Sequence, residues 1–367
     1  MKKNLIILHL ESLSNEILHL FKEELPFLNS ILKDSIRMNN FCTTATSTLM
    51  AITDFLYGND FELDDSRAFH LLTKPKILED NLFDVLIKNN YNLLGLAYPN
   101  SSCNINNVGI WPQNKQKFLW KKEYKDFIKS TDKFIHDNLN NPFASYMMDL
   151  RSNILYSDNI KLKGKNTIEK RIIRYKCMDN TIKEIFEILK KYDLLDKTIV
   201  VGYGDHGDDY WTHSFSAGFC HTTEPYTNMI MTPAFIFDTS KKPCNIDDLV
   251  SLIDLRQTIL NLLDIKELNR FKYSGIDIFN SKNNYVYSRN LLANQLSNTS
   301  GAVLNKSYAI INKDYNLMIS KYGLEMYAYR IDPSNHNNLL NFFVLKDYDT
   351  IELNKDIISP YHYNAFM

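Results

Sequence analysis

Glu11, Asp205 and His206 are the residues whose types and settings suit a metal ion. Asp205 and His206 adjoin in the run Gly202-Tyr203-Gly204-Asp205-His206-Gly207, placing a hard oxygen beside an imidazole nitrogen directly after an apolar stretch. Gly204 and Gly207 are expected to let the backbone turn so that both side chains face one point. Glu11 ends a separate apolar run, Asn4 to Leu10. An unpaired carboxylate there pays a desolvation penalty of several kcal/mol unless a cation or donor meets it. A metal resolves that difficulty.

A third segment, Phe41-Cys42-Thr43-Thr44-Ala45-Thr46-Ser47-Thr48, is rich in hydroxyls and is followed by the apolar stretch Leu49 to Leu56 and then Gly58. It reads as a turn opening a helix. A hydroxyl at a helix amino terminus lies near the positive end of the dipole, and a metal on its oxygen lowers its pKa further, giving an alkoxide able to attack phosphorus or sulfur. Thr43, Thr44, Thr46, Ser47 and Thr48 are all candidates on local sequence, and a plain helix cap accounts for the same residues. Asp208, Asp209, Trp211 and His213 share the loop after His206, where substrate contact and simple solvation are both open readings. His9, His19, His70, His136, His336 and His362 read as structural.

The elements that must carry these groups alternate. Asn4 to Leu10 reads as a central strand, and the residues from Asn15 to Lys33 show helical spacing through Ile17, Leu18, Phe21, Leu25 and Leu28. Helix at Leu82 to Lys88, strand at Asn92 to Ala97, helix at Lys121 to Asn138 and strand at Phe143 to Asp149 follow. The longest helical stretch, Thr167 to Tyr192, leads into a buried strand at Thr198 to Val201. Such βαβ order predicts an α/β fold with a mainly parallel central sheet and helices on both faces. In open α/β sheets ligands gather at the carboxyl edge, so Glu11 and Asp205-His206 are expected to share one site. Beyond about Asn280 the strands Asn284 to Tyr287, Ser307 to Ile311 and Asn316 to Ser320 are short and alternating. They predict a small antiparallel subdomain at 281–367, packed on a catalytic core at 1–280.

The 367 residues, 44% of them hydrophobic and 23% charged, suffice for a large core, which excludes a disordered chain. With 42 basic against 43 acidic residues, a formal charge of -1 removes the electrostatic case for a nucleic-acid binder. No apolar run approaches the roughly 18 residues that span a bilayer, so no transmembrane segment is expected. At the amino terminus Glu11 comes too early for a secretory leader, and no small-residue cleavage site follows. The five cysteines, Cys42, Cys103, Cys177, Cys220 and Cys244, lack C-x-x-C spacing and suit buried small apolar positions in a reducing compartment. A cytoplasmic protein, able to lie on a membrane surface, is the expectation.

These motifs together resemble the sulfatase-like branch of the alkaline phosphatase superfamily, above all the catalytic domains of lipoteichoic acid synthases and phosphoethanolamine transferases. Leu8-His9-Leu10-Glu11-Ser12 is similar to the strand that ends in a metal-binding Glu in those families, where true sulfatases carry paired Asp residues. Cys42 followed four residues later by Thr46 matches the spacing of the transferases' nucleophile, and Thr46-Ser47 matches the Thr-Ser of the synthases. The segment has neither the Pro nor the Arg of the Cys/Ser-x-Pro-x-Arg motif from which sulfatases make formylglycine. Val200 to Gly207 resembles the second metal motif. Pro225-Tyr226, Thr232-Pro233, Gly275-Ile276-Asp277, Glu325-Met326-Tyr327, Asp332-Pro333 and Asn338-Leu339 extend the likeness in order along nearly the whole chain.

The resemblance implies Thr46 as catalytic nucleophile and Glu11, Thr46, Asp205 and His206 as ligands of one divalent ion, zinc or manganese. Ser47, His213, His221, Arg151 and Asn153 are the implied substrate-binding positions; Arg151, Ser152 and Asn153 stand where relatives usually have a His. The implied reaction is transfer of a substituted phosphate through a phosphothreonine. Its donor is a nucleotide-linked or lipid head-group phosphate ester, and its acceptor a hydroxyl, such as that of a surface glycan. Hydrolysis of phosphate esters with water as acceptor, sulfatase-like hydrolysis, and a non-catalytic binding protein of the same fold are the alternatives.

Overall fold

The computed structural model of the chain describes residues 2–59, 80–99, 111, 118–153, 167–209, 213, 224–266, 275–290, 307–320 and 323–341. Eight strands form the main sheet: β1 (Asn4–Leu10), β2 (Ile36–Cys42), β3 (Asn92–Tyr98), β4 (Phe118–Trp120), β5 (Phe143–Asp149), β6 (Thr198–Gly204), β7 (Ala234–Phe237) and β8 (Cys244–Ser251). Their spatial order is β4-β3-β5-β1-β6-β7-β2-β8. Every pairing is parallel except those of β7, which runs antiparallel to both β6 and β2.

β1 is buried along its whole length, as its unbroken apolar sequence requires. Leu5 and Ile7 project into a core with Phe55, Phe83 and Ile259, while Ile6, Leu8 and Leu10 project into a second core with Leu28, Tyr175, Ile182 and Phe186. These partners belong to helices on opposite faces. On the first face lie α3 (Thr48–Tyr57), α4 (Leu82–Lys88) and α8 (Asp254–Leu262). On the other face lie α1 (Asn15–Leu20), α2 (Pro26–Lys33), α5 (Tyr124–Asp137) and the 25-residue α6 (Thr167–Lys191). The short α7 (Thr227–Ile230) precedes β7.

The helical spacing from Asn15 to Lys33 is divided between α1, a 3-10 turn at Lys22–Glu24 and α2. Pro26 lacks an N–H and restricts Leu25 away from helical geometry, so a new helix starts at the proline. Asp179 of α6 caps that start, accepting hydrogen bonds from the N–H groups of Phe27 (3.2 Å) and Leu28 (2.7 Å).

A second sheet, antiparallel throughout, is built from β9 (Tyr285–Asn290), β10 (Ser307–Asn312), β11 (Asn316–Ser320) and β12 (Gly323–Tyr327) in the order β12-β11-β10-β9. Val286, Ala309, Ile311 and Met318 of this sheet share a core with Cys42, Met229, Ile230 and Leu249 of the main body. β9 also reaches the Thr-rich turn directly. Arg289 N–H donates to Thr44 O (3.0 Å), and Thr46 N–H donates to Arg289 O (3.2 Å). Among the described residues, no helix is long and apolar enough to cross a membrane.

Candidate active site

β1 and β6 are parallel neighbours with Leu10 opposite Gly204, so the residues that follow them, Glu11 and Asp205, emerge side by side at the carboxyl edge. Both are wholly buried, as is His206. Ser12 takes a left-handed φ of 55°, which an L-residue adopts only at a cost, of about 1–2 kcal/mol. The turn lets its N–H donate to Asp205 Oδ1 at 3.0 Å, while its carbonyl accepts from Tyr175 OH at 3.0 Å.

Gly204 and Gly207 are glycine for a different reason than freedom to turn, since neither has a positive φ. A Cβ on Gly204 would run into the carbonyl oxygen of Leu13, and one on Gly207 into that of Asn228. Close backbone approach, not turning, excludes a side chain there.

The two carboxylates are matched by two imidazoles. His206 Nδ1 lies 2.8 Å from Gly207 O, so that nitrogen carries the proton and Nε2 presents its lone pair inward. Nε2 is 3.2 Å from Asp205 Oδ2 and 3.9 Å from Glu11 Oε1. His9, two residues before Glu11 on the same face of β1, places its own Nε2 2.9 Å from Glu11 Oε2 and 3.2 Å from Asp205 Oδ2. Among the described residues His9, Glu11 and Asp205 each offer a ligand atom within 4.8 Å of the other two. Burial pulls the His9 pKa down, but the Asp205 and Glu11 carboxylates outweigh it and raise it to about 9. Burial likewise opposes the charge on Asp205, and His206 and His9 overcome it, holding that carboxyl well below its usual range.

The Thr-rich turn packs over this cluster and is tied to it at both ends. Thr43 Oγ1 donates to Asp205 O at 2.6 Å, and Thr48 Oγ1 lies 3.1 Å from His206 Nε2. Thr44 Oγ1 donates to Asp54 Oδ2 at 2.6 Å. Thr46 Oγ1 and Ser47 Oγ are buried without a hydrogen-bond partner, although Ser47 stands at the N-cap of α3. The five hydroxyls left open by local sequence are thus divided: three are engaged with protein groups and two are not.

The Sulfatase family model matches residues 3–265, more than half of the chain. The chain belongs to the sulfatase family. No curated protein matches it. Among solved structures this sulfatase-family chain is similar to BT4656, determined in complex with its substrate D-glucosamine-2-N,6-O-disulfate, at 13% identity and a TM-score of 0.72, covering 97% of each chain. It is similar to an alkaline phosphatase superfamily protein from Vibrio parahaemolyticus at 16% identity and a TM-score of 0.68, over 95% of this chain and 84% of that one. The lipoteichoic acid synthase LtaP from Listeria monocytogenes matches at 17% identity and a TM-score of 0.65, over 89% and 85%. At these identities the likeness establishes the alkaline phosphatase and sulfatase fold.

The remaining sequence candidates of this sulfatase-family chain fall into different settings. Asn153 Nδ2 donates to Glu11 Oε1 at 2.6 Å, and the neighbouring Ser152 Oγ donates to Glu11 O at 2.7 Å, so this turn orients the glutamate. Arg151 forks onto Asp149, donates to Thr181 Oγ1 at 2.7 Å and stacks on Tyr124 with 4.2 Å from its guanidinium carbon to the ring centroid, which commits its charge to the protein. His213 has both ring nitrogens engaged, Nδ1 with Asp209 Oδ2 (3.1 Å) and Nε2 with Ser334 O (2.7 Å), and its ring stacks on Tyr226. His221 and Trp211 lie outside the described residues.

His9 is the residue that sequence reasoning passed over as structural. The signal was present: in a strand, positions i and i+2 share a face, so a His two residues before a site carboxylate faces the same side.

The donor set fits a divalent ion. Ligand atoms around a tetrahedral zinc with bonds of about 2.0–2.1 Å stand about 3.3 Å apart, and the two ring nitrogens, His9 Nε2 and His206 Nε2, each stand 3.2 Å from Asp205 Oδ2. That oxygen belongs to a wholly buried side chain, and an oxygen and two nitrogens are gathered there as ligands of one cation are.

Proposed function

We propose that the chain is a metal-dependent phosphotransferase that passes a substituted phosphate through a phosphothreonine on Thr46 to a hydroxyl acceptor. The observation that carries this reading is the Thr46 hydroxyl, which is buried and without a protein partner on a turn whose flanking threonines grip Asp205 and His206. Glu11, Asp205 and His206, with Thr46 itself, would hold the ion, zinc or manganese. When bound, it lowers the pKa of the threonine hydroxyl and offsets charge on the transferred group's oxygens.

In the first step Thr46 Oγ bonds to phosphorus while the bond from phosphorus to the donor's leaving oxygen breaks, and the hydroxyl proton ends on that oxygen. In the second an acceptor hydroxyl oxygen bonds to phosphorus, the bond from phosphorus to Thr46 Oγ breaks, and the acceptor's proton ends on Thr46 Oγ. The amino terminus of α3, immediately after Thr46 and Ser47, turns its first N–H groups and the positive end of its dipole toward the anion. Ser47 Oγ, buried and unpartnered beside them, is a hydrogen-bond donor for the same oxygens. Asn153 and Arg151 act by holding Glu11 and its supporting turn in place. The absence of Cys/Ser-x-Pro-x-Arg around Thr46 argues against formylglycine chemistry.

Donor classes that fit are nucleotide-linked phosphate esters and lipid head groups. The acceptor class in this reading is a hydroxyl, such as that of a surface glycan. Intact-mass measurement after incubation with candidate donors tests the reading, with an adduct on Thr46 as the expected result. An adduct mapped to Thr48, whose hydroxyl touches His206, or full turnover by Thr46→Ala, contradicts it. Fast turnover of aryl phosphate or sulfate esters in water alone would instead identify a hydrolase.

A further inference from the structure

We propose that His9 is a ligand of the same ion, so that the site presents two imidazoles and two carboxylates. The proposal rests on the reading that Glu11, Asp205 and His206 hold a metal. His9 is wholly buried at the side chain, and its Nε2 lies at 2.9 Å from Glu11 Oε2 and 3.2 Å from Asp205 Oδ2. His206 Nε2 lies the same 3.2 Å from Asp205 Oδ2. That oxygen therefore sits 3.2 Å from each of two ring nitrogens, and His9 Nε2 reaches both carboxylates at once. A ring nitrogen facing two carboxylates, with a second imidazole against one of the same oxygens, is how ligand atoms around one cation stand relative to each other.

The far side of the His9 ring has the support that ligating imidazoles have. Nδ1 is 2.9 Å from Tyr146 OH, and that hydroxyl is 2.7 Å from Tyr203 OH. Ile7 pairs with Tyr146 and His9 with Tyr203 across β5 and β6, so the three rings occupy one face of three adjacent strands. The anchor fixes the ring's rotation and lets Nδ1 carry the proton, which frees Nε2 for the ion. The competing arrangement is a positioning role, in which Nε2–H donates to Glu11 and never meets the metal. Two imidazoles beside two carboxylates favour zinc over a hard-oxygen ion such as manganese more strongly than one imidazole does.

X-ray absorption at the zinc edge on the full chain loaded with zinc decides between them. Two imidazoles are expected in the wild type and one in His9→Gln, whose amide still spans Tyr146 and Glu11 and so preserves a positioning role. Dialysis of both proteins against equal zinc and manganese should show the zinc excess shrinking in the variant. Zinc affinity should fall by more than the roughly 10–100-fold that loss of an outer partner costs. A single imidazole on wild-type zinc overturns the assignment of His9 and leaves the phosphotransferase reading standing. A wild-type chain that takes up no divalent ion overturns both. The wild-type spectrum carries the test even if the variant does not fold.

Discussion

Of the hydroxyls between Thr43 and Thr48, those of Thr43, Thr44 and Thr48 are committed to Asp205 O, Asp54 and His206, and those of Thr46 and Ser47 are not. This division predicts distinct phenotypes. Thr46→Ala should fold normally, as judged by an unchanged thermal transition, and lose the covalent adduct with turnover falling on the order of 10⁴-fold or more. Ser47→Ala should keep the adduct. Asp205→Ala should remove the ion, read by metal content after dialysis. Asn153→Ala removes a 2.6 Å donor from Glu11 Oε1 and should weaken metal binding by roughly 10–100-fold while leaving the fold intact.

Between elements, the turn bearing Thr46 is held by a contact that no local pattern announces. Arg289 of β9 forks onto Asp54 of α3 at 2.8 and 2.9 Å, donates to Thr44 O, and is buried together with that aspartate. Arg289→Met leaves Asp54 charged and buried, and should cost about 3–5 kcal/mol in denaturant unfolding. The double variant Asp54→Leu with Arg289→Met should recover part of that stability, but not the geometry of the turn. A weaker tie joins β1 to the end of β7, where Lys3 Nζ is 2.5 Å from Asp238 Oδ1. Burial pushes the Asp238 pKa up, and Lys3 with Ser240 outweighs it, leaving it below its ordinary value of 3.8. The stability from this pair is therefore present above that ordinary value and lost as pH falls through the lowered one. Lys3→Met should cost about 0.2–1 kcal/mol at pH 7 and converge with the wild type in acid.

At the scale of the molecule, an ion held as proposed by the two carboxylates buried at the sheet's edge would link binding to folding. Ion present at 100 times its dissociation constant should stabilise the fold by about 2.7 kcal/mol, so a chelator should lower the melting temperature by several degrees, and zinc should restore it. The buried strands and the meeting of Glu11 with Asp205 and His206 were legible from sequence by itself, because β1 and β6 are apolar runs that end abruptly in polar groups. The α/β fold and the helices on both faces followed from the same alternation. The division of residues 15–33 was legible too, in Pro26, but helical spacing masked it. Three things were settled only by tertiary structure. Antiparallel β7, inserted between β6 and β2, leaves no mark in a four-residue apolar run, because strand direction depends on the connection and not on composition. Which hydroxyls are engaged depends on partners as distant as Asp205 and Asp54. The strand period alone put His9 on the face of Glu11; that tyrosines of two neighbouring strands stand behind its ring and Asp205 before it is set by cross-strand register, which a single strand's sequence does not contain.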